Sequence, residues 1–581
     1  MLRRLRVPAA AATGGVAATA AYLRGADDQY RAISESELPE VYDPQQIAAV
    51  WSRQPRCVLQ RLVTVASTTA PFAARLLGDW IMSHRGSETA EEMTARHSSR
   101  ARELRVLLTE LGPTFIKAGQ AVSIRPDVVP PGAIYELQKL CDAVPSYPTH
   151  DALRLIEAEL GQPPAQIFSG LDLDSEPIAA ASLGQVYRCR MRDSGAEVAL
   201  KVQRPDMIRA VSLDLYLLRR YCVGVEWCKE NIVTGLFGAA DRSAFDVKLL
   251  DTFARASYLE LDYRNEAANL ERFREALVPR MGGRVYVPFC EGSVTTRKVL
   301  ATEWIDGPQL AKSTPEVINK LISTGVDCFI SQLLDIGFFH SDPHPGNLLV
   351  DARGRLVLID FGLCAEIDAF DSRSLTSAIV HLMRGDVSAL VDDAIALRFL
   401  PPDVDKAALL PPLEGIFAKG RLAAAEEIAR RAQPSQPLGA TAVEEAEQAA
   451  NQTTRRAQFS AISRELNQIF FDYPFAVPEY FALITRALIV LEGIALTGDK
   501  DFDLFTAAYP IAAKHASKIF GAAQLAAMLG EASALPLASG RGGLASTLAD
   551  TLADASSSAD TGGATSSSGP RLGRTMTRAL S

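Results

Sequence analysis

The eight cysteines of this 581-residue chain (Cys57, Cys141, Cys189, Cys222, Cys228, Cys290, Cys328 and Cys364) include no CxxC pair. Neither a disulfide framework nor a zinc module is written this way, and a reducing compartment suits such thiols. Positive charge is also short: 60 Lys and Arg stand against 69 Asp and Glu, a net charge of −9. A mildly acidic chain gains no general attraction to nucleic acid, so nucleic acid is not an expected partner. No uncharged, strongly apolar stretch of eighteen residues lies beyond the extreme N-terminus. The best internal run, 480–496, is interrupted by Arg486 and Glu492, which favours a buried or surface-lying helix over a membrane span. No GxxxxGK[ST] occurs, which excludes a P-loop, and no internal repeat is found.

The rest is ordinary globular composition, 48% hydrophobic and 22% charged, with material for two to four domains at roughly 150 residues each. Residues 1–24 carry Arg3, Arg4, Arg6 and Arg24 around an Ala/Gly/Thr stretch, with no acidic residue before Asp27. That is transit-peptide composition, and its alanines and glycines are too weakly apolar to favour an anchor. Apolar spacing predicts helices over 40–110 and 207–275, and short strands between Glu176 and Lys201. A strand pair is expected at 284–304, then helices to 339. Asn347–Val350 and Leu356–Ile359 flank Asp351-Ala-Arg-Gly354, a hairpin signal, and the remainder reads mainly as helix. Segments 432–455 and 536–581 read as loop or disorder.

The chemistry concentrates in His340-Ser-Asp342-Pro-His344-Pro-Gly346-Asn347, with Asp360-Phe361-Gly362 downstream. An Asp, an Asn five residues on, a hairpin and then Asp-Phe-Gly is the order protein kinases use. Asp342 then orients or deprotonates the attacking hydroxyl, while Asn347 and Asp360 hold magnesium. Oxygen ligands and a hard cation are needed because the phosphoryl transition state spreads negative charge. Upstream, Val198-Ala-Leu-Lys201 puts a lysine on a predicted strand, where it fits the contact to the phosphates of ATP. Glu260-Leu-Asp262-Tyr-Arg-Asn-Glu266 offers candidate partners on a helix. Glu303-Trp304-Ile305, after the strand at 298–302, fits a hinge that holds adenine through backbone groups.

Two kinase features are missing. The turn expected over the phosphates reads Ala179-Ala180-Ala181-Ser182 where GxGxxG would stand, so the loop is stiffer and leaves less room. No Ala-Pro-Glu follows Asp360-Phe-Gly, which argues against a groove for a protein substrate. One further segment, Lys117-Ala-Gly119-Gln120, sits on an otherwise apolar helix, and ordinary kinase chemistry does not ask for it.

With these residues the sequence resembles the UbiB/ADCK (aarF-domain-containing) family of atypical kinases. Lys117-Ala-Gly-Gln120 matches its KxGQ signature, Ala179–Ser182 its alanine-rich loop, Glu260-Leu-Asp262 its ExD motif, and His340–Asn347 its HxDPHPGN loop. Glu266 stands at the position that pairs with the nucleotide lysine. The resemblance covers roughly 40–515, and the C-terminal piece and Tyr42-Asp-Pro are similar to the plastid and cyanobacterial branch. It implies an α+β, two-lobed protein-kinase-like fold with an N-terminal helical extension and a mainly helical C-terminal lobe.

The expected division is a targeting or disordered segment (1–38), a helical extension bearing KxGQ (39–170) and a kinase-like N-lobe with a helical insertion (171–306). A helical C-lobe with the catalytic loop (307–531) and a Ser/Gly/Ala-rich tail (532–581) complete it. By the resemblance Lys117 and Gln120 enter the pocket near Glu260, where a protein substrate would otherwise sit, and these three join Asp342, Lys201 and Glu266 as the implied catalytic residues. It further implies ATP and Mg2+ as cofactors and a role in prenyl-quinone metabolism (ubiquinone, plastoquinone or tocopherol). The implied partners are an organelle membrane surface or lipid particle and quinone-biosynthesis enzymes or lipid precursors. The implied address is a chloroplast, at plastoglobule or thylakoid, with the mitochondrion as alternative. An atypical kinase or ATPase is the leading reading; a conventional Ser/Thr kinase and a nucleotide-binding pseudokinase scaffold are the others.

Overall fold

The computed structural model describes most residues from Tyr30 to Asp499. Outside the description lie 84–89, 124–135, 142–145, 229–246, 432–472 and a few single positions, and only isolated residues are described from 500 to His515. The expected targeting segment, the 432–455 segment and the 536–581 tail fall outside the described residues. The chain divides into two compact units. The first runs to Leu321 and includes His340–Cys364 and Ala482–Val490; the second takes Ile322–Phe339, Ala365–Phe481 and the chain from Leu491 onward.

The first unit begins with helices α1 (Pro44–Trp51), α2 (Pro55–Ser83), α3 (Ala90–Leu111) and α4 (Pro113–Ser123). Asp43 caps α1 by accepting from the Gln45 and Gln46 N–H groups, and Pro44 occupies the first turn, where a missing N–H costs nothing. Helix α4 carries Lys117-Ala-Gly-Gln120. A Cβ at Gly119 would fall 2.6 Å from methyl carbons of both Leu108 and Leu140, so glycine permits α4 to lie close on α3. Arg61 on α2 donates to both carboxylate oxygens of buried Asp214 and to the Leu111 carbonyl.

After α5 (Thr149–Leu160) come β1 (Phe168–Ser169), β2 (Ala179–Ala180), β3 (Gly184–Met191) and β4 (Glu197–Gln203), with β6 (Val299–Glu303) completing an antiparallel sheet. On β4 alternation puts Val198, Leu200 and Val202 into the core with Phe168, Tyr187 and Val299, and turns Lys201 to the opposite face. Helices α6 (Met207–Cys228), α7 (Val247–Glu260) and α8 (Tyr263–Leu277) come after β4. A second core joins Trp51, Leu183, Met207, Val211, Tyr258 and Leu261, with the Trp51 indole donating to Ser212.

The strand pair expected within 284–304 is divided between two sheets. Strand β5 (Val285–Tyr286) pairs in parallel with β9 (Leu356–Leu358), whereas β6 pairs with β4. The isolated bridge Cys290–Thr302 joins the two segments, with the Glu291 N–H donating to the Ala301 carbonyl and the Glu303 N–H to the Phe289 carbonyl. A 3-10 turn at Gly292–Val294, capped by Glu291, separates them, and the buried Val299, Leu300 and Ala301 suit the central edge of β4. The expected hairpin is present as β8 (Leu348–Val350) against β9, in the register Leu348–Leu358.

In the second unit, a π-helical turn at Ser331–Ile336 ends at Gly337, whose φ of 69° suits glycine. The strand β7 (Phe338–His340) comes next, where the sequence led to expect helix. Three residues are too few to show a period, and the glycine is their only sequence signal. Helices α9 (Ala369–Arg384), α10 (Val387–Ala396), α11 (Lys406–Arg431) and α12 (Glu479–Gly498, shared between the units) make up most of the remainder. Val387, Val391, Leu400, Leu409 and Leu413 form a core there. The run at 480–496 is thus a helix, and no helix among the described residues is long and apolar enough to cross a membrane. The elements bear out the expected α+β class.

Candidate active site

Lys201 leaves the uncovered face of β4, and its Nζ lies 2.8 and 3.0 Å from the two carboxylate oxygens of Glu266 and 3.4 Å from Oδ1 of Asp360. Of the candidate partners left open by the sequence, Glu266 is the one brought to the lysine. Burial opposes the charge on Lys201, but the Asp360 and Glu266 carboxylates outweigh it and hold the ammonium well above its ordinary range. Burial pushes Glu266 upward against the pull of Lys201. Lys201 in turn holds Asp360 below the ordinary carboxylate range, so this oxygen donor stays ionised.

One face of α8 positions the Asp-Phe-Gly segment. Glu266, Asn269 and Phe273 recur at helical spacing. The Asn269 amide donates to the Phe361 carbonyl at 3.0 Å, and the Phe273 ring lies 5.0 Å from that of Phe361. Asp360 has a φ of 61°, a left-handed conformation that costs a non-glycine residue about 1 kcal/mol and marks functional turns. A Cβ at Gly362 would stand 3.2 Å from Asp360 Oδ1 and 3.4 Å from a Glu266 oxygen, so glycine leaves both carboxylates room.

The catalytic loop is braced from below by His340, 2% exposed. Its Nδ1 accepts the Asp342 N–H at 3.1 Å, and its Nε2 faces the Ile359 carbonyl at 3.3 Å. His344 caps the next turn by accepting from the Gly346 N–H. The Asn347 amide donates to the Asp342 carbonyl at 3.0 Å, and the Ile359 N–H donates to the Asn347 carbonyl at 3.0 Å. Asn347 is thereby held across the hairpin from the residue preceding Asp360. With its NH2 spent on Asp342, its side-chain oxygen is the atom left for a cation. A carboxylate and an amide oxygen form the hard donor set that magnesium takes, so the residues fit that ion.

Asp342 has inequivalent oxygens. Oδ1 is buried and lies 2.7 Å from Nη2 of Arg486 on α12, a residue that no motif pointed to.

The alanine-rich turn closes as a short hairpin, Ala179 opposite Val186 and Ala180 opposite Gln185. The Ala181 N–H donates to the Gly184 carbonyl, and the Arg204 guanidinium donates to the Ala181 carbonyl at 3.3 Å. Ser182 is buried. A Cβ at Gly184 would lie 2.5 Å from both the Val202 carbonyl oxygen and the Tyr263 hydroxyl, so this glycine is fixed by close approach. At the hinge the Glu303 carboxylate accepts from the Tyr286 hydroxyl at 2.6 Å and from the Phe289 N–H. Its side chain is engaged locally, and Trp304 N–H donates to the Glu197 carbonyl. Ile305 comes directly after, outside the strand.

Lys117 on α4 pairs with Glu260 at the end of α7. Gln120, one turn on, donates to the Leu140 carbonyl at 3.3 Å, a bond inside the helical extension. Asp262, the other acid of the ExD motif, caps α8 through the Arg264 N–H. The motif therefore divides between a lysine partner and a helix cap.

Comparison with known proteins identifies the family. The family model of the ABC1 atypical kinase-like domain matches residues 139–394. The chain is 36% identical to the uncharacterized Synechocystis protein slr1919 over 83% of this chain and 77% of that one. It is also 36% identical to the Arabidopsis thaliana protein ACTIVITY OF BC1 COMPLEX KINASE 3, chloroplastic, over 84% of this chain and 63% of that one. An uncharacterized aarF domain-containing protein kinase of Arabidopsis, chloroplastic, matches at 33% over 83% and 61%. The chain spans less than two thirds of the length of both Arabidopsis relatives. With its lysine, paired glutamate, catalytic loop and Asp-Phe-Gly on one kinase-like α+β scaffold, the chain belongs to the ABC1 (UbiB/ADCK) family of atypical kinases.

Proposed function

We propose that this protein is an ATP- and magnesium-dependent atypical kinase or ATPase that supports prenyl-quinone lipid metabolism in a plastid, working peripherally at a membrane or lipid particle. The observation that carries the reading is the triangle of Lys201, Glu266 and Asp360, with its cation within 3.4 Å of both acids. Pseudokinases commonly lose such a lysine or metal-binding acid, and this chain keeps both.

Lys201, aligned by Glu266, holds the phosphates of ATP. Asp360 and Asn347 hold magnesium, which neutralises the charge that develops on the transferred phosphoryl group. Ala179–Ser182 covers the nucleotide, and adenine rests on the backbone at Glu303 and Ile305. Asp342 accepts the proton of the attacking oxygen. The Lys117–Glu260 pair, with Gln120 behind it, holds the helical extension in place beside the alanine-rich turn, which disfavours a bulky protein acceptor.

The γ-phosphate of labelled ATP, traced with magnesium and liposomes in wild type and Asp360→Asn, tests the reaction. Label released as free phosphate by wild type alone is the expected result. Label transferred to protein would instead favour the Ser/Thr kinase, and no turnover in either would favour a scaffold. The plastid address rests on the chloroplastic relatives and the Arg-rich, acid-poor N-terminus. A chain lacking residues 1–24 should fail to enter isolated chloroplasts; normal import would remove the transit-peptide assignment.

A further inference from the structure

Arg486 is the one basic residue of the mainly apolar helix α12. A guanidinium 14% exposed in such a setting is costly unless paired, and the carboxylate paired with it is Asp342. The loop from His340 to Asn347 contains no Arg or Lys of its own. The other two lysines of the site are engaged elsewhere, Lys201 with Glu266 and Asp360, and Lys117 with Glu260. Arg486 therefore supplies the cation facing Asp342, and it does so from α12, far downstream in the chain.

The geometry is selective. Oδ1 of Asp342 is buried against Arg486, whereas the side chain as a whole keeps 28% exposure, so the open oxygen is Oδ2. His340 fixes the same residue through its backbone N–H, and Asn347 fixes it through its carbonyl. With the backbone held on both sides, rotation about the side-chain bonds is the remaining freedom, and the ion pair between the guanidinium and Oδ1 restrains it.

We propose that Arg486 is a positioning residue that clamps Oδ1 of Asp342 and leaves Oδ2 as the single acceptor presented to the attacking oxygen. The inference rests on the reading of Asp342 as the proton acceptor. The carboxylate that Arg486 pairs with belongs to the loop, whereas Lys201 pairs with Glu266 and Asp360, so Arg486 acts chiefly on turnover through Asp342 rather than on nucleotide affinity.

The test compares the full-length wild type, Arg486→Gln, Arg486→Lys, Asp342→Asn and the Arg486→Gln/Asp342→Asn double variant. The readouts are kcat and KM for MgATP hydrolysis, binding of a fluorescent ATP analogue, and melting temperature. Arg486→Gln should lower kcat by roughly 10- to 100-fold, as a misplaced catalytic group does, with analogue affinity unchanged within about twofold. Arg486→Lys, which keeps the charge but not the planar fork, should recover part of the loss. In the Asp342→Asn background, Arg486→Gln should cost nothing further.

Additive losses, or a fall in affinity that parallels kcat, would reduce Arg486 to a structural residue and overturn the clamp. If Arg486→Gln does not fold, the Arg486→Lys split between kcat and affinity decides alone. A wild-type rate in Asp342→Asn would instead remove the role of Asp342 itself. A dead Asp342→Asn beside a normal Arg486→Gln removes only the clamp. A wild type that turns over no ATP overturns both.

Discussion

Among the lysine–glutamate pairs of the first compact unit, Lys201–Glu266 and Lys117–Glu260 are chemically identical but physically different. Lys201 meets Glu266 and also Asp360, so its single positive charge faces two acids. Lys117 meets Glu260 in a pair that joins α4 to the end of α7. The first cluster sets two acids against one lysine, and burial pushes the Glu266 carboxyl up to about 7, so a further cation there would be favoured. The second is neutral and complete as it stands. The lysine side chains are similarly sheltered, 18% exposed for Lys201 and 22% for Lys117, so burial alone does not separate them. The third carboxylate does. A second acid beside a lysine–glutamate pair is thus the feature that makes it a candidate cation and phosphate site.

Removing each lysine in turn is the sharpest way to break this comparison. Lys201→Met leaves Glu266 and Asp360 facing one another without that cation and, on the proposed function, removes the donor to the phosphates. MgATP affinity should fall roughly 100-fold, in line with truncating one partner of a buried charge pair. Lys117→Met should lower MgATP affinity far less than Lys201→Met, because Lys117 pairs with Glu260 and reaches Asp360 only through its longer-range field. Its effect belongs in stability, a melting temperature lower by about 2–4 °C, since Glu260 loses its partner in a partly buried place. Adding Glu260→Gln to Lys117→Met should recover most of that loss, because the orphaned charge goes with it. Equal losses of nucleotide affinity in the two lysine variants would erase the distinction.

The sequence exposed the parts of the site that are local in the chain. Asp342, Asn347 and Asp360 come from a turn, a hairpin and a tripeptide whose spacing is set by backbone geometry, and the hairpin is found where it was expected. Lys201 emerged from strand alternation. Glu266 needed the family resemblance, because a helix glutamate has no local mark, although Glu266, Asn269 and Phe273 share a face that helical spacing would have revealed. The features that stayed hidden depend on long-range contact. Arg486 advertised only that it needed a partner. Arg204 gave no sign that it ties down the Ala181 carbonyl. The three-residue strand Phe338–His340 was too short for any period to register.

The alanine-rich turn gives the smallest and most discriminating test of how far the nucleotide side is pre-arranged. Ala180 pairs with Gln185 in a hairpin whose next carbonyl is held by Arg204, so its backbone is already restrained on both sides. Ala180→Gly adds conformational freedom to the unfolded chain and to the turn, a change worth about 0.5–1 kcal/mol. If the turn lies over the phosphates, that freedom alters MgATP or MgADP affinity by a few-fold, the most that about 1 kcal/mol permits. The Lys117–Glu260 pair lies outside the β2–β3 hairpin, so the variant should still lose stability on Lys117→Met to the same degree as wild type. Binding isotherms for both nucleotides, identical in Ala180→Gly and wild type, would move the turn away from the nucleotide and leave the Lys201 cluster to hold the phosphates without a cover.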